Sequence, residues 1–296
     1  MPSLNTDIQQ KKNSLSSFYD LAIRILNYLP DVLSEYEENR EYRIYSSQIA
    51  GTIKYVRPIN NRLFIYDPVR FSECYNEFTE TLENIKNRNT NISNRAKDNI
   101  NKIVYTIQQS IGAGLDLLVN PNSARKHAGN RFEELLKVLF TEAGIANKKT
   151  VLQIPYDTDE GQKVYKCEND LILSPYKKVK STSTTLNQNE IVVSIKTTSK
   201  DRMGKIFIDK ILLEKFVDHP QKVIGVFLND VQRKGPNSIS YTLVSGLFMV
   251  YSKFLTQLEG IYYIDLPPKA LNHPYNKYMK PFSELLVSDI WNLFTP

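Results

Sequence analysis

Two residues in this 296-residue chain have types and spacing that point to chemistry: an aspartate entering one apolar run and a lysine closing the next. Asp170 opens Asp-Leu-Ile-Leu, and Lys196 ends Val-Val-Ser-Ile-Lys, with the polar stretch 177–189 between them. If the two runs pair as strands, a carboxylate and an ammonium meet at one sheet edge. Phosphodiester hydrolysis uses such a pair. The carboxylate holds a divalent metal that polarises the phosphate and acidifies a water. The lysine orients or deprotonates that water and offsets transition-state charge. The backbone carbonyl of Ile195 is a further hard-oxygen ligand, and an all-oxygen set of this kind suits Mg2+. Strand-end aspartates and strand lysines are common in α/β proteins, so the pair alone defines no family.

Other chemistries are poorly served. Three histidines, His127, His219 and His273, cannot assemble an HExxH pair or an HNH-like cluster. Cys74 and Cys167 are too few for a disulfide framework or a four-thiolate zinc site. No GxxxxGK[ST], GxGxxG or GxSxG occurs. Lys and Arg number 38 against 32 Asp and Glu, a net +6 that favours a polyanionic partner over an acidic one. No apolar run reaches the roughly 20 residues of a membrane span, and the polar N-terminus has no signal core. These features set the expectation of a soluble, cytoplasmic protein without a membrane partner.

The elements that must position these residues follow from periodicity. Residues 14–40 and 68–118 are expected to be mostly helical, from Leu15, Phe18, Leu21, Ala22, Ile25 and Leu26, and from Ile100, Ile103, Val104, Ile107 and Ile111. Short strands are expected at 42–45 and 63–66. Asn120-Pro-Asn-Ser has turn chemistry and marks a soft boundary. Behind it come a helix at 131–143 stopped by Gly144, strands at 151–155, 163–173 and 190–197, and a helix at 205–216. Strands at 222–228, 241–250 and 260–266 and a final helix at 281–294 complete the pattern. This order predicts an α/β core with a central mixed β-sheet flanked by helices, and a mainly helical N-terminal subdomain over 1–120.

Asp170 followed by Ser194-Ile195-Lys196 resembles the PD-(D/E)xK nuclease pattern, with Asn169 at the proline position and Ser194 at the second acidic position. The serine is similar to the branch of type II restriction endonucleases that cut CCGG, CCNGG and CCWGG targets. In that branch the missing carboxylate comes from the following helix, about 13 positions after the lysine, which here is Asp209. The branch usually has glutamate there. Helix periodicity bears on the same residue: Asp209 shares a stripe with Leu212, Leu213 and Phe216, and Glu214 lies well around the helix from it. An acid near a helix start also favours the macrodipole, so a marginal, purely structural position is the alternative.

The branch carries a basic–acidic–basic element after the lysine, and the corresponding residues are Lys200, Asp201 and Arg202. Arg and Lys donate to guanine O6 and N7, and a carboxylate accepts from cytosine N4, so the element suits C·G pairs. The common fate of such a run is a solvated turn. Upstream, Gly129 through Glu133 resembles the helix before the catalytic strand in this fold. Glu133 on its flank is a second metal ligand, a carboxylate behind the ligands or a surface residue, while Glu134 points away.

The resemblance spans roughly residues 125–215. It implies a restriction-endonuclease-like core over 121–296 and a Mg2+-dependent type II enzyme cutting double-stranded DNA at a short palindrome containing CC/GG. It implies a metal site of Asp170, the Ile195 carbonyl and Asp209, a homodimer, and a cognate DNA methyltransferase. Two rivals are a non-specific repair or recombination nuclease and a DNA-binding protein on an inactive nuclease fold. Tyr42, Tyr45, Tyr55 and Tyr66 in the front half are expected mostly as packing or surface residues, although aromatics near arginines can stack on bases.

Overall fold

Ser14 caps the helix that opens the front half, its side chain accepting from Ser17 N–H, and the apolar stripe from Leu15 to Leu29 turns inward. In this computed structural model, which describes residues 2–33, 35–39, 41–49, 51–89, 91–199, 202–235, 238–243 and 245–295, that helix is α2 (Leu15–Val32), preceded by α1 (Leu4–Gln9). The expected helix over 14–40 therefore ends early, with Pro30 in its last turn. The chain then builds a four-stranded antiparallel sheet, β1 (Glu35–Asn39), β2 (Tyr42–Ile49), β3 (Thr52–Tyr55) and β4 (Ile59–Asn60). The first 120 residues thus hold a sheet as well as helices.

The expected strand at 63–66 is absent. Leu63 and Phe64 N–H both donate to the Asn60 carbonyl, and Ile65 N–H donates to Thr106 Oγ1, so the segment's donors are taken by a turn and by a helix side chain. Asp67 caps α3 (Pro68–Lys86), with Pro68 in its first turn, and Ser93 caps α4 (Asn94–Leu118). α4 is buried on nearly every side, as a central helix must be. Asn120 is the cap of α5 (Pro121–Glu142), which starts ten residues before the expected Arg131, so the turn chemistry there belongs to a helix start. Gly144, at φ +76°, stops α5.

The main sheet has six strands in the order β12-β11-β8-β7-β6-β5: β5 (Ala146–Thr158), β6 (Gly161–Ser174), β7 (Ile191–Thr198), β8 (Lys222–Asn229), β11 (Gly260–Tyr263) and β12 (Met279–Pro281). β7, β8, β11 and β12 run parallel, and β5 and β6 are antiparallel. Between β7 and β8 lies α6 (Met203–Val217). Between β8 and β11 lie a small hairpin, β9 (Val231–Arg233) with β10 (Ile239–Tyr241), and α7 (Ser245–Phe254). The expected strand over 241–250 is therefore one short strand and a helix. Its continuous apolar run carries no period that separates the two, and burial of Phe248 and Ser252, one helical turn apart, decides for helix.

Alternate strand residues serve opposite faces. Leu171, Leu173, Val193, Ile195, Ile224 and Val226 pack in one cluster with α2–α5 and the C-terminal helical run Phe282–Phe294. Ile172, Val192, Val223, Phe227, Ile261 and Tyr263 pack in the other with α6 and α7. The first cluster runs from Ile8 to Ile290, so the front segment and the sheet share one core. Among the described residues no helix is long and apolar enough to cross a membrane.

Candidate active site

Asp170 lies where its strand loses register on both sides. Toward β7, the ladder ends at the pair Leu171–Val193. Asp170 Oδ2 then accepts from Ile195 N–H at 2.8 Å and from Lys196 Nζ, so a side chain takes over from the backbone partner. Toward β5, Lys148 faces Ile172 and Thr150 faces Asn169, leaving Lys149 opposite both Asp170 and Leu171. This β-bulge re-aims the aspartate, a common use of bulges beside active sites. Asp170 and Lys196 are thus brought together, with side chains 13% and 27% exposed. The second oxygen of Asp170 has no hydrogen bond among the described residues, which leaves it available to a cation.

Glu133, on α5, joins this pair electrostatically. Burial raises its carboxyl above the ordinary range and the Asp170 charge adds to the rise, while Lys149 and Lys196 oppose it. Lys149 Nζ lies 3.4 Å from Glu133 and 3.9 Å from the exposed Glu168. Glu134, turned away from the Phe132 face, is nonetheless partnered. It pairs with the buried Arg131 at 2.8 Å and accepts from Lys12 N–H at 3.0 Å, tying α5 to the N-terminal segment.

Of the two positions expected for Asp209, on the inward stripe or at its margin, the structure gives the margin. The inward stripe of α6 is Met203, Ile206, Phe207, Lys210 and Leu213, so the charge on that stripe is Lys210, and Asp209 sits at its margin. Lys210 Nζ is satisfied by Glu259 and the Gln257 carbonyl, both at 2.7 Å. Asp209 is held by Lys205 one turn earlier, at 2.6 Å to both oxygens, and its charge helps burial push up the Cys167 thiol. Glu214 accepts from Gln221 N–H and lies 3.8 Å from Lys210. Among the described residues, no three His, Cys, Asp or Glu side chains are grouped to hold a metal ion, so Glu133, Asp170 and Asp209 do not close as a triad. Two carboxylates with a backbone carbonyl still fit Mg2+, which keeps several waters and is bound through one or two carboxylates together with substrate phosphates.

Lys196 of the pair, with Ile195 and Glu133, lines a groove of about 1130 Å³. Its lining includes seven cations, Lys54, Arg57, Arg125, Lys126, Lys196, Arg202 and Arg233, against two acids, Asp116 and Glu133. That excess selects for a polyanion. Asp116 neutralises Arg57 through a bidentate contact at 2.9 Å, and Lys54 donates to the Leu117 carbonyl. Arg125, Lys126 and Arg202 are exposed and carry no ion pair among the described residues. Arg202 precedes α6 at its N-terminus and lines the groove, whereas Lys200 and Asp201 lie outside the described residues. Beyond Lys149, which pairs with Glu133, the sequence pattern does not single out the groove residues Arg125 and Lys126 or the β3 and β9 segments of the lining. Each is an ordinary polar position in its own neighbourhood, and only chain crossings bring them to the groove.

This architecture is similar to that of the type IIP restriction endonuclease Kpn2I, with a TM-score of 0.69 at 20% identity over 95% of this chain and 91% of that one. The chain has the restriction-endonuclease-like fold. A complex of the restriction endonuclease PspGI with substrate DNA aligns at a TM-score of 0.43 and 13% identity, over 75% of this chain and 92% of that one. No family model and no curated protein matches the sequence.

Proposed function

We propose that this chain is a Mg2+-dependent type II restriction endonuclease that hydrolyses phosphodiester bonds in double-stranded DNA at a short palindromic site containing CC/GG. The observation that carries this reading is the Asp170–Lys196 pair at the splayed end of two central strands, whose lysine lines a cationic groove. Asp170, the Ile195 carbonyl and Glu133 are the oxygens that would hold Mg2+. Asp209, held by Lys205 beside Cys167, is the alternative source of the second carboxylate. Bound Mg2+ polarises the scissile phosphate and lowers the pKa of water. Lys196, beside Asp170, would orient the attacking water and offset charge growing on the phosphate. Arg125 and Lys126, in the first turns of α5, bind flanking phosphates, aided by the positive end of the helix.

Arg202, with Lys200 and Asp201, reads the C·G pairs by donor and acceptor chemistry. A homodimer provides one active site per strand and matches a palindrome, and a cognate methyltransferase protects the host's own sites. Ser194, without a carboxylate, favours a second reading, a DNA-binding protein that does not cut. Digestion of a DNA of known sequence with Mg2+, followed by end-mapping, decides. Discrete ends at CC/GG steps support the proposal in full. Discrete ends elsewhere leave an endonuclease with another site, a smear indicates a non-specific nuclease, and intact DNA that is still bound supports the second reading.

A further inference from the structure

The groove has a polypeptide wall that the catalytic centre does not use. Besides α5 and the end of β7, it is lined by Tyr55 of β3 and by Gln232 and Arg233 of the β9–β10 hairpin. The hairpin is tied to the catalytic strand. Thr242, just past β10, meets Thr198 Oγ1 at 3.2 Å and Ser199 Oγ at 3.1 Å, at the end of the strand that carries Lys196. Thr242 N–H donates to the Asp230 carbonyl at 2.7 Å, and Leu243 N–H donates to the Asp230 carboxylate at 3.1 Å. The hairpin is also strapped to the front sheet, because the Arg233 guanidinium lies over the Tyr55 ring at 4.9 Å and donates to the Gly235 carbonyl at 2.9 Å.

Arg233 is therefore committed to the protein, and Gln232 is not. The Gln232 side chain is half-buried, lines the groove and makes no hydrogen bond among the described residues. A glutamine amide offers one acceptor and two donors. The major groove admits a two-stranded β-ribbon, and adenine presents there the N7 acceptor and N6 donor that a glutamine matches bidentately.

We infer that Gln232 reads an A·T pair lying outside the bases met by residues 200–202, and that Arg233 and Tyr55 are positioning residues for it. The inference rests on the endonuclease reading above. A base-reading amide must be held firmly relative to the cleavage centre, and Thr242 supplies that link through Thr198 and Ser199. A neutral amide adds nothing to counterion release, so its loss should alter sequence preference and leave non-specific affinity unchanged.

The test is selection of binding sites from a randomised duplex library with the full chain in Ca2+, alongside end-mapping of DNA cut in Mg2+. The wild type should select an A·T pair at one position per half-site. Gln232→Ala should lose that preference and weaken binding of the best site roughly tenfold to a hundredfold. Tyr55→Ala and Arg233→Ala should relax the same position, while Lys234→Ala, at an exposed hairpin cation, should weaken all sequences alike. Gln232→Glu, nearly isosteric and lacking the donors, should shift the preference from A toward C, whose N4 donates, and guards against a folding defect in the alanine variant. A wild type that cuts a defined site while Gln232→Ala and Gln232→Glu keep every base preference overturns this inference and leaves the endonuclease reading standing. The same holds for a wild-type site with no A·T position. A wild type that neither selects nor cuts any site overturns both.

Discussion

Helices α5 and α6 flank the same sheet from opposite faces, and each brings one candidate acid. Glu133 on α5 shares the field of Asp170 and Lys196 and is pushed toward its neutral form by burial and by that neighbouring carboxylate. Asp209 on α6 is neutralised within its own helix by Lys205, one turn away and more than half exposed. Position on a helix wheel distinguishes inward from outward, but it does not specify which sheet residue lies beneath. For α5 the residue beneath is the bulged aspartate, and for α6 it is Cys167 and its apolar neighbours. A carboxylate that keeps company with another carboxylate is poised for a cation, and one satisfied by its own turn is not.

The largest effect expected falls on the residue pair that both helices surround. Asp170→Ala and Lys196→Ala should each lower single-turnover cleavage by about a thousandfold or more, toward loss of the acid–base and electrostatic contributions together. Circular dichroism should stay unchanged. Ordinary cleavage by either variant would show that the pair is not the catalytic centre.

The helices themselves are separated next. Glu133→Gln should slow cleavage roughly tenfold to a hundredfold and raise the Mg2+ concentration needed, whereas Asp209→Asn should change the rate less than about threefold, within the range of a lost surface contact. The reverse order, measured as rate against Mg2+ concentration, would mean that α6 re-docks on DNA and delivers Asp209 to the metal.

Asp265, in contrast to both acids, is a carboxyl buried away from water and, among the described residues, from cations. It lies just past β11, accepts from Tyr42 Oη and Asn60 Nδ2 at 2.9 Å, and burial raises its pKa to about 7. A carboxyl titrating near 7 in the folded chain and near 4 when unfolded contributes stability fully below about pH 4 and loses it as pH rises toward 7. Asn mimics the protonated acid. The melting temperature of Asp265→Asn relative to wild type should therefore rise between pH 5 and pH 8, by roughly 2–4 °C for each kcal/mol removed. A difference that stays flat or falls with pH would show that Asp265 is ionised throughout.

The smallest effect belongs to the own-turn pair. Lys205→Ala should destabilise by no more than about 0.5 kcal/mol in urea unfolding, the range of an exposed i,i+4 ion pair. A loss of 2 kcal/mol or more would mean that Asp209 is restrained for a purpose beyond surface charge.

The residues that do local work were readable in the chain. Apolar runs of the right length for strands announced β6, β7 and β8, and these hold Asp170 and Lys196 because a sheet edge is defined by where a run begins and ends. Periods of three and four residues announced α2, α4 and the inner half of α5, since burial of one helix face is a local pattern. Beyond that reach the chain was ambiguous. The run at 245–254 is apolar without a period, and only packing against Phe207 made it helix. The segment 63–66 has strand composition, yet Thr106 and Asn60 took its donors. The rotation of α6 followed from Lys210 finding Glu259, 49 positions away, which turned Asp209 aside. The groove required β3, α5 and the hairpin to converge, and convergence depends on long-range pairing and shared burial that no window of neighbouring residues encodes. Local pattern therefore determined the strands, most of the helices and the placement of Asp170 and Lys196, while tertiary packing alone decided which acid stands beside them and which cations line the groove.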